Sequence, residues 1–412
     1  MISSLQSLLR STFQSLSHRN FRLYFFAQMI SLSGTWMQTV ALSWLVYRLT
    51  HSPMMLAIVD GAQLLPILLF GLWGGSLADR FDRRKILFIT QFLAMLQAVL
   101  LAFLTLNNLI LPWHAVALSF FLGTLNAFEV PSRQSFIIQL VNREDLVNAI
   151  SLNSTVFSLA RSIGPALAGV LVLFIGEGGC FSLNAGSYIA ALVAIAAMNP
   201  PPLPGVPEGE KPGTVREALT FAAGNVDVRR VLLQGLVFSI FGLQYSVLMP
   251  IYAAEVLGGD VVTLGVLRAF AGLGALFAAL TLAYRGGSQN LRMGLGLSAV
   301  TFGLSMFCFA FSKLILLSIF FVFLMGFAMT SLLSGGHSLV QLAVDERLRG
   351  RVMSIYMTVM LGIAPLGSFV FGAGAQKMGV LYTTCLCAAI CLGAGSLYIC
   401  SVRRSDRLSV QT

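Results

Sequence analysis

Charge is scarce in this chain, and acidic charge most of all. Only 10% of its 412 residues are Asp, Glu, Lys or Arg, and 16 of them are acidic. A soluble domain carries about 25% charged residues, so this chain has too few to cover a water-facing surface. Histidine is scarcer still. His18, His51, His114 and His337 are scattered, with no clustered Ser/His/Asp and no paired catalytic acids, which argues against an enzyme. The six cysteines, Cys180, Cys308, Cys385, Cys387, Cys391 and Cys400, all lie in apolar runs with no histidine at ligand spacing. They read as small buried hydrophobes, and no metal site is expected. A G-x-x-x-x-G-K-[ST] phosphate loop is also missing, which argues against a built-in ATPase. No small-residue cleavage site follows the first apolar run, so no cleavable signal peptide is expected. No cofactor is implied.

What the chain has instead is long apolar runs. Hydrophobic residues make up 57% of it, and runs of 18 or more residues predict membrane-spanning helices rather than a barrel. Twelve can be counted, near 21–47, 53–78, 86–107, 111–139, 146–175, 178–198, 229–257, 261–284, 291–311, 313–341, 350–375 and 378–401. The expected fold is an all-α membrane protein of twelve transmembrane helices in two pseudo-symmetric six-helix bundles. Residues 1–19 read as a cytoplasmic amphipathic segment, 20–198 as the N-terminal bundle and 199–228 as a Pro-rich linker. Residues 229–401 form the C-terminal bundle and 402–412 a cytoplasmic tail. The net charge of +10 resides almost wholly in short loops and tails on one side. That bias predicts cytoplasmic termini in an inner or plasma membrane, with basic residues at anionic headgroups, and not nucleic-acid binding. The halves repeat weakly. Leu77-Ala78-Asp79-Arg80 is echoed by Leu282-Ala283-Tyr284-Arg285, and Pro165 in segment five by Pro365 in segment eleven. A same-orientation repeat implies a two-fold along the membrane normal and a cavity between the halves, the layout of alternating access.

Four charges lie inside apolar runs: Asp60, Glu129, Arg161 and Arg268. Such residues cost roughly 2.5–3.5 kcal/mol each at the bilayer centre and therefore face a cavity or a partner. At 1.5 Å per residue, Glu129 lies roughly 15 Å and Arg161 roughly 22 Å above the inner ends of their spans, so the two could pair. Arg133, one turn from Glu129, competes for it. A carboxylate that exchanges a cation for a proton can couple proton entry to substrate exit. Glu129 or Asp60, with Arg161, are the candidates; a static ion pair is the alternative. Candidate cavity linings are Gln28, Trp36 and Gln38 in segment one, Gln244 and Tyr245 in segment seven and His337 in segment ten. Aromatics with amides suit a bulky amphiphile, although lone polar residues also bridge helices.

The hairpin Gly75-Ser76-Leu77-Ala78-Asp79-Arg80-Phe81-Asp82-Arg83-Arg84-Lys85 resembles the G-x-L-A-D-R-x-x-R-R-K signature of the major facilitator superfamily. Asn20-Phe21-Arg22, Gly34-Thr35-Trp36-Met37-Gln38, Pro131-Ser132-Arg133-Gln134, Ala160-Arg161-Ser162-Ile163-Gly164-Pro165 and Arg349-Gly350-Arg351-Val352 narrow the resemblance. They resemble the branch holding the enterobactin exporter and drug-efflux proteins. The resemblance implies a cytoplasmic gate at Gly75, Asp79, Arg80, Arg83 and Arg84, with Asp79 bonded to the start of segment eleven and to Arg133. It also implies export, because Gly164-Pro165 with Gly169 matches part of a kink motif associated with antiporters. The paired glycines that end that motif are absent. A reading in which the hairpin cations only set topology stays open.

The expectation is a secondary active, proton-coupled exporter of a siderophore-like or drug-like small molecule. It would work in the lipid bilayer as a monomer, with protons and the solute as its partners. Import or uniport of a metabolite is the alternative, and a non-transporting receptor a remoter one.

Overall fold

The computed structural model describes residues 13–201, 214–285 and 291–411. These residues are helical, with short turns between the helices. Helix α1 spans Arg19–Thr50, α2 Pro53–Arg80, α3 Arg83–Leu106 and α4 Pro112–Leu140. A continuous element, Leu146–Ala197, is broken at Gly176 (φ 69°), which divides it into α5 (146–175) and α6 (177–197). The second half holds α7 (Val226–Val256), α8 (Val261–Arg285), α9 (Leu291–Phe311), α10 (Ile315–Ala343), α11 (Leu348–Met378) and α12 (Val380–Gln411).

Ten stretches are long and apolar enough to cross a membrane. One of them, Arg143–Ala197, holds both α5 and α6. Helix α1, at 32 residues, is long enough but is not among the ten. Its run of Gln28, Ser31, Ser33, Thr35, Gln38 and Thr39 dilutes its apolar character. Splitting the broken element and adding α1 recovers the twelve expected spans.

Local chemistry sets the boundaries. His51 adopts a left-handed conformation (φ 46°) and ends α1. Ser52 Oγ then accepts from Met55 N at 3.3 Å, and Pro53 opens α2, an N-cap followed by an N1 proline. Asp82 caps α3 by accepting from Arg84 N at 2.9 Å. Asn225 and Asp260 cap α7 and α8 in the same way. Gly176 and Gly379, both at positive φ, occupy matching places between α5 and α6 and between α11 and α12.

Within each half, two helices approach so closely that only glycine fits. A Cβ on Gly123 of α4 would overlap the Gln63 carbonyl of α2, and one on Gly74 of α2 would overlap the Ala127 carbonyl of α4. In the second half, Gly326 of α10 meets the Ala271 carbonyl of α8, and Gly274 of α8 meets the Phe323 carbonyl of α10. These reciprocal glycine pairs are small-residue packing of the kind that holds helices together in lipid.

Gly75 of the expected gate has nothing within 4 Å of where a Cβ would point, whereas Gly74 before it is packed on α4. The stretch 199–228 is not linker throughout. Residues 215–224 form a short helix capped by Thr214, and α7 begins at Val226, while 202–213 lie outside the described residues. The expected amphipathic segment over 1–19 falls mostly outside the described residues. Its described part is a tight turn, Gln14–Ser17, held by Ser15 N to Asn148 Oδ1 at 3.0 Å.

Candidate functional site

Both bundle halves begin at the same end. Asn20 at the start of α1 bonds to the Asn199 carbonyl past α6, and Arg230 near the start of α7 bonds to the Ser401 carbonyl of α12. At the opposite, far end the halves close on each other. Tyr47 Oη donates to Glu255 Oε1 at 3.1 Å between α1 and α7, and Ser52 Oγ to Gln376 Oε1 at 3.3 Å between α2 and α11. A Cβ on Gly169 of α5 would sit 3.3 Å from both Gly265 Cα and Val262 Cα of α8, and Gly372 of α11 packs on Pro53, Met54 and Ala57 of α2. Inter-half contact continues to mid-bundle, where Gly362 of α11 faces Leu68 of α2. Near the terminus-bearing end, Gly75 has no close neighbour and Leu77 is exposed.

Between the halves lies a cavity of about 360 Å³. Its lining includes Trp36 of α1, Asp60 and Gln63 of α2, Gln91 of α3, Glu129 and Arg133 of α4, Arg161 of α5, Gln244 and Tyr245 of α7 and Arg268 of α8. The five charges form two groups. Nearer the terminus-bearing end, Arg133 Nε lies 3.4 Å from Glu129 Oε1, and Gln91 Nε2 donates to the same oxygen at 3.3 Å. Both charged side chains keep only 12–13% of their surface. Nearer the far end, Ser368 Oγ of α11 donates to Asp60 Oδ2 of α2 at 2.7 Å, which ties the halves together. Arg268 Nη2 donates to the Ser246 carbonyl at 3.1 Å. That carbonyl also accepts from Met249 N, and it lies where α7 leaves regular helix after Phe241 and runs as a tighter turn over Leu243–Leu248. The same irregular turn presents Gln244 and Tyr245 to the cavity.

The expected Glu129–Arg161 pair does not form. Arg133 sits four residues along the same helix as Glu129, so it reaches the carboxylate without crossing to another element. Arg161 instead lies over the Trp36 ring, 5.7 Å from its centroid, a cation–π contact. Arg133 is accordingly turned into the cavity. The side chain of Asp79, its expected gate partner, lies outside the described residues.

Trp36, Gln244 and Tyr245 line the cavity as expected; Gln28, Gln38 and His337 do not. Gln28 is buried in the helix packing. His337 sits beside the Tyr356 ring, 6.1 Å between centroids. Gln38 is the centre of a buried amide relay. Its Nε2 donates to Gln97 Oε1 at 3.1 Å, and its Oε1 accepts from Asn184 Nδ2 at 2.8 Å, joining α1, α3 and α6. Gln38→Leu should leave the Asn184 amide unmatched in an apolar surrounding, at a cost of about 1–3 kcal/mol. A lowered unfolding temperature of the purified protein would register it, and an unchanged one would count against the relay.

The hairpin cations hold helix ends. Arg84 Nε and Nη2 donate to the Ile195 and Ala196 carbonyls in the last turn of α6 at 2.9 and 2.7 Å, and Arg83 Nη1 donates to the Ser135 carbonyl of α4 at 3.1 Å. A cation at a helix C-terminus meets its last carbonyls and the dipole, as Arg84 does for α6, while Arg83 ties α3 to α4, so these residues do more than set topology. Arg80 is exposed at the end of α2.

The kink motif divides its contacts. Gly164 touches Trp36 and Ser33 of α1, whereas Gly169 faces α8. Pro165 has no N–H to give to the Arg161 carbonyl one turn back, and that carbonyl packs beside Gly272 of α8.

Gln63, Gln91 and Asn126 were not anticipated as cavity residues. Each is a single amide in an apolar run, the same signal that Gln28 and Gln38 gave misleadingly.

The family model described as transmembrane secretion effector matches residues 10–411. The chain is 26% identical over 362 residues to the staphyloferrin A transporter of Staphylococcus aureus, covering 87% of this chain and 91% of that one. It is 25% identical to the multidrug efflux pump Tap of Mycolicibacterium fortuitum, covering 94% and 97%, and 23% identical to macrolide efflux protein A of Streptococcus pyogenes, covering 93% and 95%. Among solved structures it is similar to a POT family transporter in complex with a thioalcohol-conjugated peptide, with a TM-score of 0.74 at 13% identity, covering 95% and 99%. It is also similar to an inward-facing bacterial homologue of the lysosomal transporter Spinster, with a TM-score of 0.70 at 13% identity, covering 94% and 97%.

Proposed function

The chain belongs to the transmembrane secretion effector family of the major facilitator superfamily, a family of membrane transporters and not of enzymes, and from that premise we propose that it exports a drug-like or siderophore-like amphiphile in exchange for protons. The observation that carries the reading is the charged, aromatic-lined cavity between two halves that, among the described residues, are bonded to each other at the far end. With both termini cytoplasmic, as the distribution of Lys and Arg favours, the far end is external and this conformer faces inward. Solute enters from the cytoplasm and meets Trp36, Gln244 and Tyr245. Opening outward requires the Tyr47–Glu255, Ser52–Gln376 and Ser368–Asp60 bonds to part. It also requires the cytoplasmic end to close, the step in which the hairpin of Gly75, Asp79, Arg80, Arg83 and Arg84 would act as gate.

Glu129 is the proton carrier in this scheme. It lies in the cavity, its partner Arg133 is on its own helix, and neither bond has to cross between the halves. Protonation frees Arg133, and the changed charge is then available to bias the rocking equilibrium. The relatives named for a siderophore, several drugs and macrolides support the substrate class.

The test is purified protein in liposomes with an imposed pH gradient, an internal pH dye and a panel of siderophores, macrolides and cationic dyes. Substrate-dependent proton flux is the expected result. Solute movement without proton flux would remove the exchange mechanism and leave uniport, and no movement of any panel compound would overturn the export reading.

A further inference from the structure

The cavity holds three guanidinium groups and two carboxylates. Glu129 and Arg133 neutralise each other. That leaves Arg161 and Arg268 against Asp60 alone. Among the described residues no carboxylate oxygen lies within ion-pair distance of either guanidinium. Arg161 has the Trp36 ring, and Arg268 has one carbonyl, with its Nε buried and without a partner. Desolvated cations are costly without a counter-charge, and here Asp60, which also accepts from Ser368, is one carboxylate facing two guanidinium groups.

The two arginines are also close to each other. The Arg161 backbone packs on Gly272, one turn along α8 from Arg268, and Tyr245 and Asp60 sit within electrostatic reach of Arg268. One arginine comes from each half of the molecule. We propose that Arg161 and Arg268 form an anion site across the junction of the halves, which binds a carboxylate-type group of the solute while Trp36 and Phe157 hold its apolar ring. Forked donors suit a carboxylate better than a point charge would. The aromatic wall is in place, since Trp36 and Phe157 meet edge to face with centroids 5.9 Å apart. An anion bound there touches α5 and α8 together, so its presence is felt by both moving halves.

The inference rests on the reading of the cavity as the substrate site, and its test is separable from the test of transport. Fluorescein, a dianion at mildly alkaline pH, and the rhodamine methyl ester, a cation, share one xanthene ring. Their binding to the purified full-length chain in nanodiscs of neutral lipid is read by fluorescence anisotropy. Fluorescein should bind at least about tenfold tighter than the rhodamine ester. Arg161→Gln and Arg268→Gln should each weaken fluorescein about tenfold, and Arg161→Lys and Arg268→Lys, which keep the charge and lose the fork, should fall between the parent and the Gln variants. Equal or tighter rhodamine binding, no fluorescein binding, or Gln variants that bind fluorescein like the parent would each overturn the site. The wild-type dye preference needs no variant, so a misfolded mutant does not spoil the test. Solute flux in liposomes without the dye preference would remove the anion site and leave transport standing. Arginine-dependent fluorescein binding without any flux would do the reverse.

Discussion

Gly123→Leu should yield almost no monodisperse protein after detergent extraction, as read by fluorescence-detected size exclusion. The added side chain would have to occupy the Gln63 carbonyl of α2. Overpacking a core that can shift costs typically about 1–3 kcal/mol, but here the obstacle is backbone in a 28-residue helix, so the cost lies above that range. Gly326→Leu should do the same in the second half, against the Ala271 carbonyl. Gly294→Leu is the control, since nothing lies within 4 Å of its Cβ direction and the variant should elute like the parent. Normal yields from both Gly123→Leu and Gly326→Leu would mean that the close crossings are not required.

Glu129→Gln should remove substrate-dependent proton flux in liposomes, at least tenfold below the parent at matched incorporation. The amide keeps the shape and an acceptor for Gln91, but it takes no proton and leaves Arg133 without a counter-charge. Breaking one side of a buried pair costs up to about 3–5 kcal/mol; this pair borders a cavity, so a smaller loss of stability is expected. The double variant Glu129→Gln with Arg133→Gln should recover stability without recovering flux. That split separates coupling from packing, because a purely structural pair would regain flux once stability returned. Flux that persists in the double variant would move the proton site to Asp60, whose bond to Ser368 already spans the halves.

The order and number of spans were legible from the lengths of the apolar runs alone. The signs that set their ends, the caps at Ser52 and Asp82 and the break at Gly176, are short-range and emerge with the structure. The site was only partly legible, and the reason is rotation about a helix axis. Trp36 and Gln38 are two positions apart, about 200° around a helix, so they cannot both face one cavity. Trp36 faces it, and Gln38 faces α3 and α6. Composition alone made them equivalent. The ion pair was misjudged for a related reason. Residues on neighbouring helices pair only if both rotations agree, whereas Glu129 and Arg133 share a face by spacing alone. Gln244 and Tyr245 reach the cavity through the break after Phe241, and Gly242 at the break was the sign available for it.

The modest apolarity of α1 has a consequence for synthesis. A span that carries Gln38 near its centre gains its first amide partner with Gln97 and its second only with Asn184, which lies 146 residues later in the chain. At about 5–20 residues per second of translation, that is a wait of roughly 7–30 s. Through that interval α3 supplies half of the relay and shelters the first helix in part. The relay of the N-terminal bundle is therefore complete when its sixth helix arrives, and not one helix at a time.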